Sequence, residues 1–174
     1  MKTHFTRHAW SRILGRLSLS PSDVAQLLDR NIAVDVGVEP GSNRQHRVFF
    51  SEPELHLGGN VVVPNIAGWR RERLPALPET AYFDLPPDWI CEVISDSTEH
   101  YDKNAKRKIY GEAGVLFLWL LDPRGRLLEV FQLAAGKWLL FQTITGSDEV
   151  RAIPFEATPF PLGQLWPLDQ PDAS

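Results

Sequence analysis

The middle of the chain, residues 89–121, reads WICEVISDSTEHYDKNAKRKIYGEAGVLFLWLL and contains two apolar runs separated by a polar stretch. The first run, residues 89–94, is apolar on both faces except at Glu92, which is typical of a strand in the centre of a sheet. The second run, residues 115–121, is too short to span a membrane and predicts a neighbouring central strand.

The polar stretch between the two runs predicts a helix over residues 102–113. Apolar residues recur in it at helical spacing, and Gly114 follows as a C-cap. The members of this stripe are Ala105, Ile109 and Ala113. A strand, a helix and a second strand in this order indicate that the two strands lie in one sheet with the helix across it.

The flanking sequence adds strands on both sides of this unit. Residues 48–57 and 61–63 are rich in β-formers and are separated by Gly58-Gly59-Asn60, which predicts a hairpin. A Pro-rich connection follows at residues 70–87. The other predicted elements are helices near residues 8–17 and 20–30, a strand at 32–38, and a meander at 127–133 and 138–144. Together they predict an α/β domain with one mixed, curved sheet and flanking helices.

Composition limits the function classes. The 174 residues fit a single domain, and the net charge of −4 excludes a surface that is basic throughout, though not a local basic patch. The single cysteine excludes an intramolecular disulfide and favours a reducing compartment. No apolar stretch has the length of a membrane span, and no apolar segment follows the basic residues near the N-terminus. We therefore expect a cytoplasmic protein without a membrane partner.

Several common site types find no support in the sequence. It contains no G-x-G-x-x-G, no P-loop and no G-x-S-x-G elbow. Cys91 lies in the middle of a predicted strand without a base beside it, which favours a core residue. His4 and His8 have a spacing that can bind a metal, but no third ligand is near them, which favours solvated side chains.

A set of oxygen and lysine side chains is more informative. Asn65 ends the predicted hairpin, Glu92 lies in the central strand, and Lys106 lies on the next helix, so all three can meet at one end of the sheet. Phosphodiester hydrolysis uses oxygen ligands for Mg²⁺ and a lysine that stabilises developing charge. The alternative is a structural one, in which Lys106 pairs with Asp102 and Glu92 pairs with an arginine. A glutamate inside an apolar strand favours the functional interpretation, because unpaired burial costs roughly several kcal/mol.

The same residues lie in a pattern that resembles a known family. PDWICEVISDST at residues 87–98, EPELHLG at 52–58 and VVVPNIAGWRRER at 61–73 are similar to the Uma-two family of restriction-endonuclease-like proteins. That family belongs to the PD-(D/E)XK nuclease superfamily. The pattern continues through Asp102, Lys106, Tyr110, Ala113-Gly114-Val115, Trp119 and Leu121-Asp122-Pro123. The resemblance covers about residues 51–166.

The resemblance implies a restriction-endonuclease-like core with one metal-dependent nuclease site that cleaves DNA. It places the family's first acid at Asn65, its second acid at Glu92 and its lysine at Lys106. The lysine that usually follows two residues after the second acid is Ile94 here, and the helix supplies the lysine instead, as in the family's pattern. The implied cofactor is Mg²⁺ or Mn²⁺.

Two departures from the family pattern affect these expectations. Asn65 replaces an aspartate, and a neutral amide is a weaker ligand, so we expect a weakly bound metal and a weakened or inactive nuclease. Counting out from the predicted turn places Glu54 opposite Pro64 or Asn65, where it is either a replacement metal ligand or a surface charge. Residues 1–50 match poorly, which predicts an atypical N-terminal segment before a core at 51–166 and a tail at 167–174.

Basic residues suggest how DNA could bind. Arg70, Arg71, Lys103 and Arg107 are expected to contact phosphates, the alternative being a solvated charged face. We expect a homodimer. The favoured hypothesis is a weakened Mg²⁺-dependent DNA endonuclease, and two other hypotheses remain. One is a catalytically dead module of the same fold that serves DNA or protein binding. The other is a toxin-like or mobile-element accessory whose fold serves assembly.

Overall fold

The computed structural model describes residues 34–36, 47–94, 99–157 and 159–166. Within these ranges the strands and the helix are β1 (Val34–Val36), β2 (Arg47–Ser51), β3 (Leu55–Leu57), β4 (Asn60–Val62), β5 (Ile66–Arg70), β6 (Trp89–Val93), α1 (Glu99–Glu112), β7 (Phe117–Asp122), β8 (Leu127–Ala134), β9 (Lys137–Thr145), β10 (Glu149–Val150) and β11 (Phe160–Pro161). A 3₁₀ turn follows at Leu162–Leu165. The two helices predicted near residues 8–17 and 20–30 lie outside the described residues.

In the part of the chain that the structure describes, seven strands form the main sheet, in the order β1-β2-β5-β6-β7-β8-β9. The strand β6, which carries Glu92, is therefore the middle strand, as the apolar run predicts. It pairs antiparallel with β5 on one side and parallel with β7 on the other. Parallel neighbours need a crossover connection, and α1 supplies it. The predicted strand–helix–strand unit is confirmed.

The hairpin predicted over residues 48–63 is wrong in one respect, because the structure contains two nested hairpins there. The outer pair, β2 and β5, belongs to the main sheet, whereas the inner pair, β3 and β4, forms a sheet of its own. Pro53 and Pro64 lie between the two pairs and have no N–H to donate to a ladder, which explains the interruption. Gly58 and Gly59 make the inner turn with φ of 57° and 82°, values that glycine adopts at low cost.

The main sheet separates two apolar layers. One layer packs β6 and β7 against the C-terminal segment and includes Trp89, Trp119 and Phe155. The other layer lies under α1 and the small β3–β4 sheet and includes Ile90 and Tyr110. Because side chains alternate along a strand, neighbouring positions of β6 point into different layers.

The helix α1 buries the predicted stripe in part, since Ile109 and Ala113 pack half-buried against the layer beneath it. Ala105 is exposed, and Tyr110 is fully buried. The C-terminus agrees with the prediction, since Gly114 has a φ of 79°. Its N–H donates to Gly111 O at 3.1 Å while the N–H of Val115 donates to Tyr110 O at 3.0 Å. These two bonds form a Schellman motif that ends the helix.

The predicted meander is confirmed as β8 and β9, joined at Ala135 and Gly136. The outer strand β9 exposes three consecutive apolar side chains, which are Leu139, Leu140 and Phe141. No helix within the described ranges is long and apolar enough to cross a membrane.

Candidate active site

Strand register brings Asn65 and Glu92 together. Ile66 pairs with Cys91 in the antiparallel β5–β6 ladder, so the next pair along that register is Asn65 with Glu92. Within β6, Glu92 is level with Leu120 of β7, and Leu120 belongs to the layer under α1. Its carboxylate therefore points to the face that α1 covers.

The Glu92 carboxylate accepts hydrogen bonds from three groups. Oε1 accepts from the Tyr110 hydroxyl at 2.7 Å and from Lys106 Nζ at 3.3 Å. Oε2 accepts from the backbone N–H of Asn65 at 3.3 Å. Lys106 Nζ also donates to the carbonyl oxygen of Val63 at 3.2 Å. The ammonium is thus held between two oxygen atoms, and both carboxylate oxygens have donors from the protein itself.

The environment of Glu92 disfavours its charge. Burial raises the pKa of the Glu92 carboxyl above its ordinary value, and the nearby Lys106 ammonium and the Tyr110 hydroxyl oppose that shift. The Glu92 side chain is 14% exposed and that of Lys106 is 23% exposed, so the ion pair is only partly hydrated. A perturbed carboxylate with a lysine partner is a pattern that recurs at functional sites.

The side chain of Asn65 is hydrogen-bonded to the backbone of β6. Its Oδ1 accepts a hydrogen bond from the N–H of Val93 at 2.9 Å. The reverse orientation of the amide would set an NH₂ group against this N–H, two donors facing each other, so the donor at Val93 fixes which way the amide points. The other atom at the end of this side chain is therefore an NH₂ group, which donates hydrogen bonds and cannot coordinate a cation, so only the second lone pair of Oδ1 remains for one.

These donors can be compared with the metal site that the resemblance implies. Mg²⁺ is bound by oxygen ligands, usually including one or two carboxylates. Glu92 provides one carboxylate, and it is already hydrogen-bonded to Tyr110, Lys106 and the Asn65 N–H. No group of three or more His, Cys, Asp or Glu side chains suited to a metal occurs in the described parts of the chain. In this arrangement the residues present do not fit a tightly held Mg²⁺.

The predicted position of Glu54 is wrong by one residue. Leu55 pairs with Val62 across a two-residue turn, so Glu54 falls opposite Val63 and not opposite Pro64 or Asn65. Its carboxylate contacts His56 Nε2 at 2.7 Å. The Glu54 side chain is half-exposed, and its role as a replacement metal ligand stays a prediction.

The basic residues divide between the two ends of the sheet. Arg70 Nε and Arg73 Nη1 contact the buried Asp88 carboxylate at 3.1 and 2.8 Å. That contact lies at the end of β5 opposite to Asn65. Arg71 lies next to Arg70 and is half-buried.

On α1, the Arg107 guanidinium lies 4.3 Å from the centre of the Phe131 ring. Lys103 belongs to the same helix, but its side chain is outside the described part of the chain. Arg107 and Lys103 therefore share the helix that carries Lys106, whereas Arg70 is remote from Glu92.

Tyr110 is the site residue that reasoning from spacing did not identify. It lies four residues after Lys106, so both side chains project from one face of α1. That i,i+4 relation was the available signal. Spacing did not identify it because Ala105, Ile109 and Ala113 already form an apolar stripe on this helix, and a tyrosine beside such a stripe is equally compatible with a core residue.

Comparisons with known proteins agree with this architecture. A family model described as "Uma2: Putative restriction endonuclease" matches residues 6–159. A crystal structure of "a putative nuclease belonging to DUF820" from Anabaena variabilis is similar, with a TM-score of 0.63 and 16% identity over 92% of this chain and 80% of that one. No curated protein matches. The restriction-endonuclease-like core predicted from the sequence is confirmed.

Proposed function

The chain belongs to the Uma2 family, and from that premise we propose that it is a DNA-directed nuclease whose cleavage activity is weak or undetectable. In this proposal Glu92 occupies the position of the second acid, Lys106 that of the lysine, and Asn65 that of the first acid. Mg²⁺ or Mn²⁺ binds weakly. DNA is the partner, and the protein acts in the cytoplasm as a homodimer.

The contact between Glu92 and Lys106 supports the nuclease assignment most directly. The two side chains come from the central strand and from the crossover helix, and they meet at 3.3 Å on one face of the sheet. Lys106 is fixed by Glu92 and by Val63 O, so its ammonium is preorganised, and in this proposal it stabilises the negative charge that develops on a phosphate. A preorganised cation of this kind needs little rearrangement during a reaction.

The weakness of the proposed activity follows from the charges at the three positions. Glu92 contributes −1, Lys106 contributes +1 and Asn65 contributes none, so the three sum to zero. An aspartate at residue 65 would restore a net charge of −1. It could accept the Val93 N–H with one oxygen and present the other oxygen to a cation, which the Asn65 amide cannot do.

The commitment of Asn65 also favours a second candidate function. Because its Oδ1 holds the Val93 N–H at 2.9 Å, Asn65 is a structural clamp between β5 and β6. A chain that keeps the hydrogen bond between Val93 and Asn65 and has no negative charge at residue 65 would serve as a non-cleaving module that binds DNA or protein. Of the two candidates, this one needs no metal.

The substitution Asn65→Asp separates the two candidates. We expect N65D to bind Mn²⁺ at least about tenfold more tightly than the natural chain by isothermal titration, because it adds a charged ligand. If the nuclease proposal is right, N65D also cleaves a supercoiled plasmid with Mg²⁺ or Mn²⁺, and the double variant N65D/K106M does not. Asn60→Asp on the β3–β4 hairpin is the matched control and should change neither property.

Each outcome of that experiment is informative. Tighter metal binding without cleavage would favour the non-cleaving module. Folded N65D that binds no metal would contradict the assignment of residue 65 to the first acid. Robust Mg²⁺-dependent cleavage by the natural chain would contradict the proposed weakness. Sedimentation velocity tests the proposed homodimer, and a single monomeric species at micromolar concentration would refute it.

A further inference from the structure

A cavity of about 330 Å³ lies at the opposite end of the sheet from Glu92. Arg47 begins β2 and Arg70 ends β5, and the two residues are partners in the β2–β5 register. Their side chains therefore leave the sheet on the same face and line this cavity together. Apolar walls are supplied by Leu116, Phe117 and Pro154.

This cavity is separate from the candidate active site. The Arg47 guanidinium lies 4.9 Å from the centre of the Phe155 ring, and Phe155 belongs to the layer on the side of the sheet away from α1. Glu92 points to the α1 side. The two sites thus differ in both the face and the end of the sheet, so a small group bound by Arg47 cannot contact Lys106 at the same time.

Within the described ranges, Arg47 has no carboxylate in contact. Asp88 is the buried acid nearby, and Arg70 and Arg73 share it at 3.1 and 2.8 Å. Among the described residues, Arg47 contacts the carbonyl oxygen of Pro154 at 3.3 Å and the Phe155 ring. Glu156 lines the cavity but is exposed.

The Arg47 guanidinium is partly buried, and it has N–H donors beyond the one that contacts Pro154 O. Burial lowers the pKa of Arg47 from its ordinary value, and the positive charge of Arg70 acts in the same direction, while the negative charges of Asp88, Glu156 and Glu72 oppose both. Like charges opposite each other on neighbouring strands also destabilise a sheet. A bound anion would relieve both costs, and the planar guanidinium is suited to hold two oxygens of one carboxylate or phosphate.

We propose that Arg47 and Arg70 bind the oxyanion of a small organic ligand, a carboxylate or a phosphate group, with its apolar part against Leu116, Phe117 and Pro154. The size of the cavity is at the lower end of the range for small-molecule sites, roughly 300–1,000 Å³. Its location on the face away from Glu92 favours a small ligand over the DNA that the proposed nuclease would bind. This inference goes beyond the proposed function and does not depend on it.

The test uses two probes, benzoate and inorganic phosphate, titrated calorimetrically into the full chain at constant ionic strength against chloride. We expect saturable binding of at least one probe. Arg47→Met should weaken it about 10- to 100-fold, because a charge-assisted hydrogen-bonding partner is lost. Arg151→Met, at an exposed arginine paired with Glu149, is the matched control and should leave binding unchanged.

A second variant keeps the test decisive if R47M does not fold. Leu116 is 38% exposed, so Leu116→Glu should be tolerated and should place a carboxylate in the cavity that competes with either probe. Binding that persists in folded R47M or L116E, or no binding in the natural chain beyond that of chloride, would overturn the proposal. So would loss of duplex DNA binding in R47M with no effect on either probe.

Discussion

The hydroxyl of Tyr110 can be removed without disturbing the packing of its ring, and the structure predicts what that removal costs. Tyr110 is fully buried, and its O–H donates to Glu92 Oε1 at 2.7 Å. Tyr110→Phe leaves the carboxylate with Lys106 and the Asn65 N–H as its donors. Losing a hydrogen bond to a charged acceptor costs roughly 1.5–3 kcal/mol.

The cost should depend on pH in a defined direction. Burial already raises the pKa of Glu92, and the Tyr110 hydrogen bond lowers it, so Y110F should raise it further. A carboxyl whose folded pKa is raised loses its contribution to stability as the pH rises through that pKa. The destabilisation of Y110F should therefore be larger at about pH 8 than below the ordinary pKa of Glu92, where both states are protonated.

Urea unfolding followed by circular dichroism measures this effect. For a chain of this length the expected cost corresponds to a lower Tm by roughly 3–12 °C. Tyr82→Phe is the matched control, since the Tyr82 ring stacks on His56 at 3.8 Å near the surface. Its cost should be below about 0.5 kcal/mol. A Y110F variant as stable as Y82F at every pH would refute the inferred role of the hydroxyl.

Three further predictions concern the same fold. Relative to Glu92→Gln, the natural chain should lose stability as the pH rises through the folded Glu92 pKa, which burial raises above 4.5; a difference independent of pH in urea titrations would contradict this. A Cβ at residue 68 would lie 2.8 Å from the Phe49 ring, so Gly68→Ala should lower the unfolding free energy by roughly 1–3 kcal/mol, the usual cost of overpacking. Unchanged stability in urea titrations would refute this prediction. If Lys103 or Arg107 contacts DNA phosphates, replacing either by Met should reduce the salt slope of duplex binding by about 0.9, and salt-independent binding would exclude the contact.

The parts of the fold that local patterns encode were predictable from the sequence. The apolar run around Glu92 identifies the middle strand because both of its faces are covered. Gly114 marks the helix end because the Schellman motif needs a residue with positive φ. Such signals lie within a few residues of the feature they define.

The details of the site depend on distant pairings that the sequence does not display. Treating residues 58–60 as a three-residue turn shifts Glu54 by one position, and a shift of one residue moves a side chain to the other face of a sheet. The hydrogen bond from the Val93 N–H to Asn65 Oδ1 depends on the β5–β6 register, and the two residues are 28 positions apart in the sequence. The role of Tyr110 requires knowing that α1 turns this side chain, and not Ala105, toward the sheet.

The placement of the two polar sites at opposite ends of β5 has a consequence for insertions and deletions. Deleting one residue within β5 would shift one end of the strand against its neighbours and exchange the faces of that end. Either Asn65 would then lose its register with Glu92, or Arg70 would leave the face that it shares with Arg47. The connection between β5 and β6 should tolerate a change of length, because residues 75–81 are all exposed. Added length there costs little chain entropy, so an epitope tag or a labelling peptide inserted at residues 75–81 should leave both sites intact.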